Sequence, residues 1–200
     1  MKIIHSRKFF LQLLLLITVL CSVFFTSAVS AQKRDYMSDQ EIEVVREAQY
    51  IDERIDVLTK MVDRRFTALG VVAGGWKQGP KDMDTWGEMP KGTRLELLSD
   101  IKKLLQKAID DIDNLAAHPD AAPLRNKEEK NSKEAKKDPE RFSIAVRSLG
   151  QSAKRWLAPM KSQLDAATDD KEKGLLLDSI EFCDQIIEAV GKLPAEVKKK

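Results

Sequence analysis

The chain has 200 residues, 42% of them hydrophobic and 33% charged, with nine glycines and seven prolines. That balance is too apolar for a disordered tail and too rich in Lys and Glu for a polytopic membrane protein, and an aromatic content of 6% speaks against an all-β chain. The formal charge is +2, but Lys2, Arg7 and Lys8 lie in a leader; the remainder is close to neutral and offers no electrostatic footprint for nucleic acid.

Residues 1–8 carry cations and no acid, Phe9 to Phe25 is almost wholly apolar, and Thr26 to Ala31 turns small and mildly polar. This is the layout of a secretory signal peptide, with Val29 and Ala31 placed for cleavage before Gln32. Taken to Val29, the apolar run also reaches the roughly 20 residues that cross a bilayer, so a retained anchor is the competing expectation. The small-residue exit favours cleavage. Leu20 ahead of Cys21 does not fit a lipoprotein. The predicted location is periplasmic or extracellular, with membrane met only during export or through an uncleaved N-terminus.

Residues 32–200 then form one domain of about 170 residues, long enough for a sizeable core. Cys183 would be its one cysteine, so no internal disulfide forms and the fold must stand on helix packing. Asn131 is followed by Ser132 and Lys133, and no glycosylation acceptor occurs. Both features tilt towards a bacterial envelope.

The first helix is predicted to open at Ser38, with Glu41 completing a capping box. Ala48, Ile51, Ile55, Leu58, Val62, Phe66 and Leu69 recur at steps of three and four until Gly70. Read as one element, it is a rod of about 48 Å at 1.5 Å per residue. A second helix starts at Thr93, boxed by Glu96. It carries Leu98, Ile101, Leu105, Ala108, Ile112 and Leu115 before stopping at His118–Pro119. A third is predicted from Asp138 as N-cap with Pro139 at the first helical position. Its stripe is Phe142, Ala145, Leu149, Ala153, Trp156, Met160 and Leu164, with a kink expected at Pro159. The fourth opens near Asp169 and Glu172 and runs through Leu176, Ile180, Cys183, Ile187 and Val190 to Gly191.

No stretch alternates long enough for a strand, and four such stripes can be buried only against one another. The expected fold is all-α, an antiparallel bundle of about four helices with a long Gly/Trp-containing loop between the first and second. Lys102, Lys103, Lys107, Asp110 and Asp111 read as a solvated exterior.

That loop, residues 71–92, holds Trp76 and Trp86 among several glycines and prolines. Disordered linkers seldom contain tryptophan. The rings either plug one end of the bundle, near Trp156, or line a partner site together with Lys77, Asp82 and Asp84. The run Asp82-Met83-Asp84-Thr85-Trp86-Gly87 starts like a calcium loop. It fails at the fifth position, Trp86, and at the twelfth, Thr93, leaving only a weak contact from Asp82, Asp84 and Glu88. The second connection, 119–137, is charged and nearly free of apolar residues after Leu124, which reads either as a short solvated helix or as a mobile tether.

Outside the leader the one histidine is His118, and Cys183 lies on an apolar stripe where a thiol is inert. No haem-attachment, di-iron, zinc or phosphate-loop pattern occurs, so no cofactor or metal is expected and catalysis lacks its usual parts. The sequence therefore points to an exported, non-catalytic interaction or structural module with an envelope protein partner. A carrier of a small ligand or metal, or a tethered spacer if the leader is retained, are the alternatives.

Overall fold

The computed structural model describes residues 34–121, 123 and 135–194. The signal-peptide reading and most of the 119–137 connection fall outside them. The chain divides into two units, Met1–Asp35 and Tyr36–Lys200; everything below concerns the second.

Six α-helices and no strand occur among the described residues: α1 Asp39–Glu47, α2 Ile51–Ala68, α3 Met83–Trp86, α4 Arg94–Ala117, α5 Arg141–Ala166 and α6 Asp170–Gly191. Single 3-10 turns cover Pro80–Asp82 and Pro119–Ala121, and a longer 3-10 segment covers Ala135–Glu140. α2 packs on α4 and on α5, and α6 packs on the same two. α1 and α3 lie against each other, with α1 also against α2.

The stripes supply the core. Ile55, Leu58, Met61, Val62 and Phe66 of α2 meet Ile101, Leu104, Leu105 and Ala108 of α4, together with Ala145, Leu149, Ala153, Trp156 and Met160 of α5 and Cys183 and Ile186 of α6. A small satellite forms from Leu98, Leu176 and Ala167. Caps sit where the spelling puts them. Ser38 and Glu41 bond reciprocally, as do Thr93 and Glu96, and the Asp169 carboxylate accepts from the amides of Lys171 and Glu172. Gly70 closes the end of α2 at φ +71°. Among the described residues no helix is long and apolar enough to cross a membrane.

Two expectations are corrected. The single rod from Ser38 to Gly70 is two helices. The chain turns at Ala48 (ψ 83°) and is extended at Tyr50 (φ −84°, ψ 145°), and the Arg54 Nε donates to the Ala48 carbonyl at 3.0 Å. The cause is long-range. Glu41 is bonded to Arg64 and Arg65, 23 and 24 residues on, whereas a straight helix would hold them roughly 35 Å apart. The α5 start is also displaced. Asp138 and Pro139 lie in the 3-10 segment, α5 begins at Arg141, and the Asp138 carboxylate accepts from Arg141 Nε at 2.9 Å instead of from a helix amide. At Pro159 α5 runs on without a break.

Candidate functional site

Three consecutive buried charges on α2 organise one end of the molecule. Successive helical residues point about 100° apart, so Asp63, Arg64 and Arg65 reach three different neighbours. Asp63 faces α5, where its carboxylate accepts from Arg155 Nη1 at 2.8 Å, from Arg155 Nη2 at 3.1 Å and from the Trp156 indole at 2.8 Å. It also accepts from the Trp76 backbone amide at 2.9 Å. Arg64 donates to Glu41 and to the Glu88 carbonyl, both at 2.5 Å. Arg65 grips both oxygens of the same Glu41 carboxylate, donates to the Tyr36 carbonyl at 2.5 Å and lies 3.7 Å from Asp100.

Glu41, Asp63, Arg64, Arg65 and Asp100 are each at most 2% exposed. Burial lowers the Arg64 pKa, and the adjacent Arg65 adds to that, against the pull of Glu41. Together these residues tie the N-terminal helix, the 71–92 segment and α5 to one turn of α2.

The tryptophans sit on this network. Trp86 is 6% exposed, and Trp76 is half-buried with its ring 5.0 Å from that of Trp86 at 43°. Arg64 lies 5.6 Å from the Trp86 ring and Lys60 5.9 Å from that of Trp76. Gly75, at φ +80°, brings backbone so close to Asp63 and Arg155 that any Cβ would collide with both side chains. The other residues singled out in this loop do not join the pair. Lys77 and Asp84 are exposed, and Asp82 accepts from the Gly79 amide at 2.7 Å. Glu88 pairs with Lys91, whose hydrogen bond and charge hold its carboxyl below the usual carboxylate range. The segment that starts like a calcium loop is a 3-10 turn followed by one turn of helix. Among the described residues no group of three or more His, Cys, Asp or Glu converges to hold a metal.

A separate opening lies where the start of α2, the end of α4 and the start of α5 meet. Tyr50, Ile51, Leu115, Ala116, Pro119, Pro123 and Phe142 line a cleft of about 430 Å³, with Arg141 and Asp138 as its charged members. The Arg141 guanidinium lies 3.9 Å from the Tyr50 ring centroid and donates to Asp138 at 2.9 Å, Asp52 at 2.6 Å and Glu53 at 3.3 Å. Burial works against its charge, and these carboxylates outweigh it, so its pKa lies above the ordinary arginine value.

Neither the buried ions nor the lining of the cleft is visible in the apolar periodicity of the sequence. One signal was available: Arg65 falls three residues after Val62 and seven after Leu58, in register with the apolar stripe. Cys183 is fully buried with its Sγ 4.0 Å from Met160 Sδ, and burial pushes its pKa up to about 12.

Comparison with protein-family models, with curated proteins and with solved structures finds no match to this chain.

Proposed function

We propose that this chain is an exported, non-catalytic binding module of the cell envelope, an antiparallel bundle of about four long helices that takes a small ligand in the Tyr50–Phe142 cleft. One observation carries the reading: the cleft, at about 430 Å³ with mostly apolar walls, has the size and lining of small-molecule sites. The polar groups buried deepest support it from the other side. Glu41, Asp63, Arg64 and Arg65 are engaged with one another and with the segments they tie down, which is structural work.

The protein-partner reading centred on Trp76 and Trp86 is less well supported. Trp86 is buried and packed at a tilt against Trp76, as in a plug, and a hot-spot ring would present its face. A metal version from Asp82, Asp84 and Glu88 has the Asp82 and Glu88 carboxylates already engaged.

Mass spectrometry of the protein recovered from its host's envelope tests the proposal. The denaturing mass reports whether residues 1–31 are gone. The native mass is expected to show a small-molecule adduct that the cleft-filling variant Ala116→Trp loses. An adduct retained by that variant, or a protein passenger in its place, overturns the reading.

A further inference from the structure

The joint between α1 and α2 is held open from a distance and is poorly finished on the spot. From Ser38 to Leu69 the chain has neither glycine nor proline, and the apolar spacing Val44, Ala48, Ile51, Ile55 crosses the joint without a change of phase. α1 ends at Ala48 with no left-handed glycine to close it. α2 starts behind Tyr50, and no side chain there accepts from its first amides. Arg54 offsets this in part, its Nε donating to the Ala48 carbonyl at 3.0 Å. Straightening 48–50 into helix would offer the amides of Gln49 to Glu53 the carbonyls four residues back.

The far end of the arm opposes straightening. Among the nine residues of α1 Glu41 alone is buried, and it is bonded to Arg64 and Arg65. Arg65 also holds the Tyr36 carbonyl at 2.5 Å. None of these bonds requires the arm and α2 to belong to the same chain.

We propose that the arm, residues 36–47, exchanges between two copies of this chain: the joint at 48–50 straightens and each arm docks on α2 of the other copy, giving a domain-swapped dimer. The docking site is the one already occupied within a single chain, so the same ties are remade, Glu41 with Arg64 and Arg65 and the Tyr36 carbonyl with Arg65. Each copy gives an arm and receives one. The two straightened rods therefore run antiparallel about a twofold axis, and assembly closes at two copies. Monomer and dimer differ at the joint: the dimer gains helix bonds at both joints and loses the freedom of two separate molecules. Concentration decides between them. Releasing the arm uncovers paired buried charges, so exchange takes place while the chain refolds.

The full chain as recovered from its host is unfolded in urea, refolded dilute and refolded concentrated, and sized by native mass spectrometry. A dimer is expected from concentrated refolding. Gln49 is exposed at the joint, and Gln49→Pro would sit mid-helix in a straight rod. It is expected to lower the dimerisation constant about a hundredfold for each joint, with the monomer melting as the parent does. Arg54→Ala frees the Ala48 carbonyl and is expected to raise the dimer's share. Formaldehyde, which bridges a lysine amine to a tyrosine ring, reports where the arm docks. Lys103 Nζ on α4 lies 5.6 Å from the Tyr36 ring centroid. In dimers refolded from equal amounts of light and heavy-isotope chains, half of the Tyr36–Lys103 bridges are expected to join a light peptide to a heavy one.

A chain that stays monomeric after concentrated refolding, in the parent and in Arg54→Ala alike, overturns the proposal. So does a dimer whose Tyr36–Lys103 bridges never mix isotopes, since such a dimer keeps each arm on its own chain. A dimer formed equally by a folded Gln49→Pro protein overturns the straightened joint. The isotope result stands without either variant.

Discussion

Asp63 is the most informative residue to remove. Its carboxylate is 2% exposed and holds the Trp156 indole, the Arg155 guanidinium and the Trp76 amide. In Asp63→Ala the indole N–H of Trp156, a residue with no exposure at all, loses its partner, at about 1–3 kcal/mol for an orphaned buried donor. Arg155 is 28% exposed at its side chain, so its guanidinium can turn to water and adds only about 1 kcal/mol after that screening. The sum is about 3 kcal/mol, at the low end of what breaking a buried ion pair costs. In a domain of this size it corresponds to a fall in Tm of about 6–12 °C. Asp63→Asn keeps one acceptor oxygen but turns an amide NH2 towards existing donors, and about half that loss is expected. The assay is thermal and urea unfolding followed by far-UV circular dichroism, with tryptophan fluorescence alongside. Asp56→Ala serves as control: Asp56 pairs with Lys60 at the surface and should move stability by no more than about 0.5 kcal/mol. An Asp63→Ala protein melting within about 2 °C of the parent would refute the argument that this carboxylate is a structural hub.

Trp86→Ala should cost about 3 kcal/mol or more, because a ring that is 6% exposed leaves a cavity; Trp76→Ala, half-buried, should cost less, and melts of the two variants rank them. Gly75→Ala and Gly70→Ala both force a left-handed residue, worth about 1–2 kcal/mol. Only the former also collides with Asp63 and Arg155, whereas nothing lies within 4 Å of a Cβ at Gly70, so urea unfolding should show the larger loss at position 75. Cys183, with its pKa at about 12, should react with iodoacetamide at pH 8 about a thousandfold more slowly in the folded protein than in urea, since each unit of pKa removes tenfold of thiolate. As this pKa is raised on folding, the neutral thiol contributes stability below about pH 9 that is lost as pH climbs towards 12.

Local grammar made much of the fold readable. Capping boxes at Ser38 and Thr93, the Asp169 cap and the left-handed Gly70 lie where their residue types place them, because each depends on neighbours within four positions. The break at 48–50 was invisible for the same reason. Ala48 and Ile51 keep helical spacing across it and are both buried, so the apolar period runs through a turn whose cause sits at Arg64 and Arg65. Pro139 suits a 3-10 turn as well as a first helical position, and Arg141 claimed the Asp138 carboxylate that would otherwise have capped the helix. For the candidate site less was readable. Treating charge as solvent-facing hid Asp63, Arg64 and Arg65, and the cleft joins residues from three separate helix ends that no spacing rule connects.

The ties of α2 differ greatly in the length of chain they close, and this sets an order of assembly as the chain emerges N-terminus first. Arg64 and Arg65 can meet Glu41 once a span of 23 or 24 residues is out, so α1 and α2 can pair early. Asp63 must wait for Arg155, 92 residues later. Its clasp closes a loop about four times longer, at an added entropic cost of roughly 1.2 kcal/mol. Until that point neither the Arg155 guanidinium nor the Trp156 indole is present to bond the Asp63 carboxylate, so this part of the core can close only after most of the domain is out.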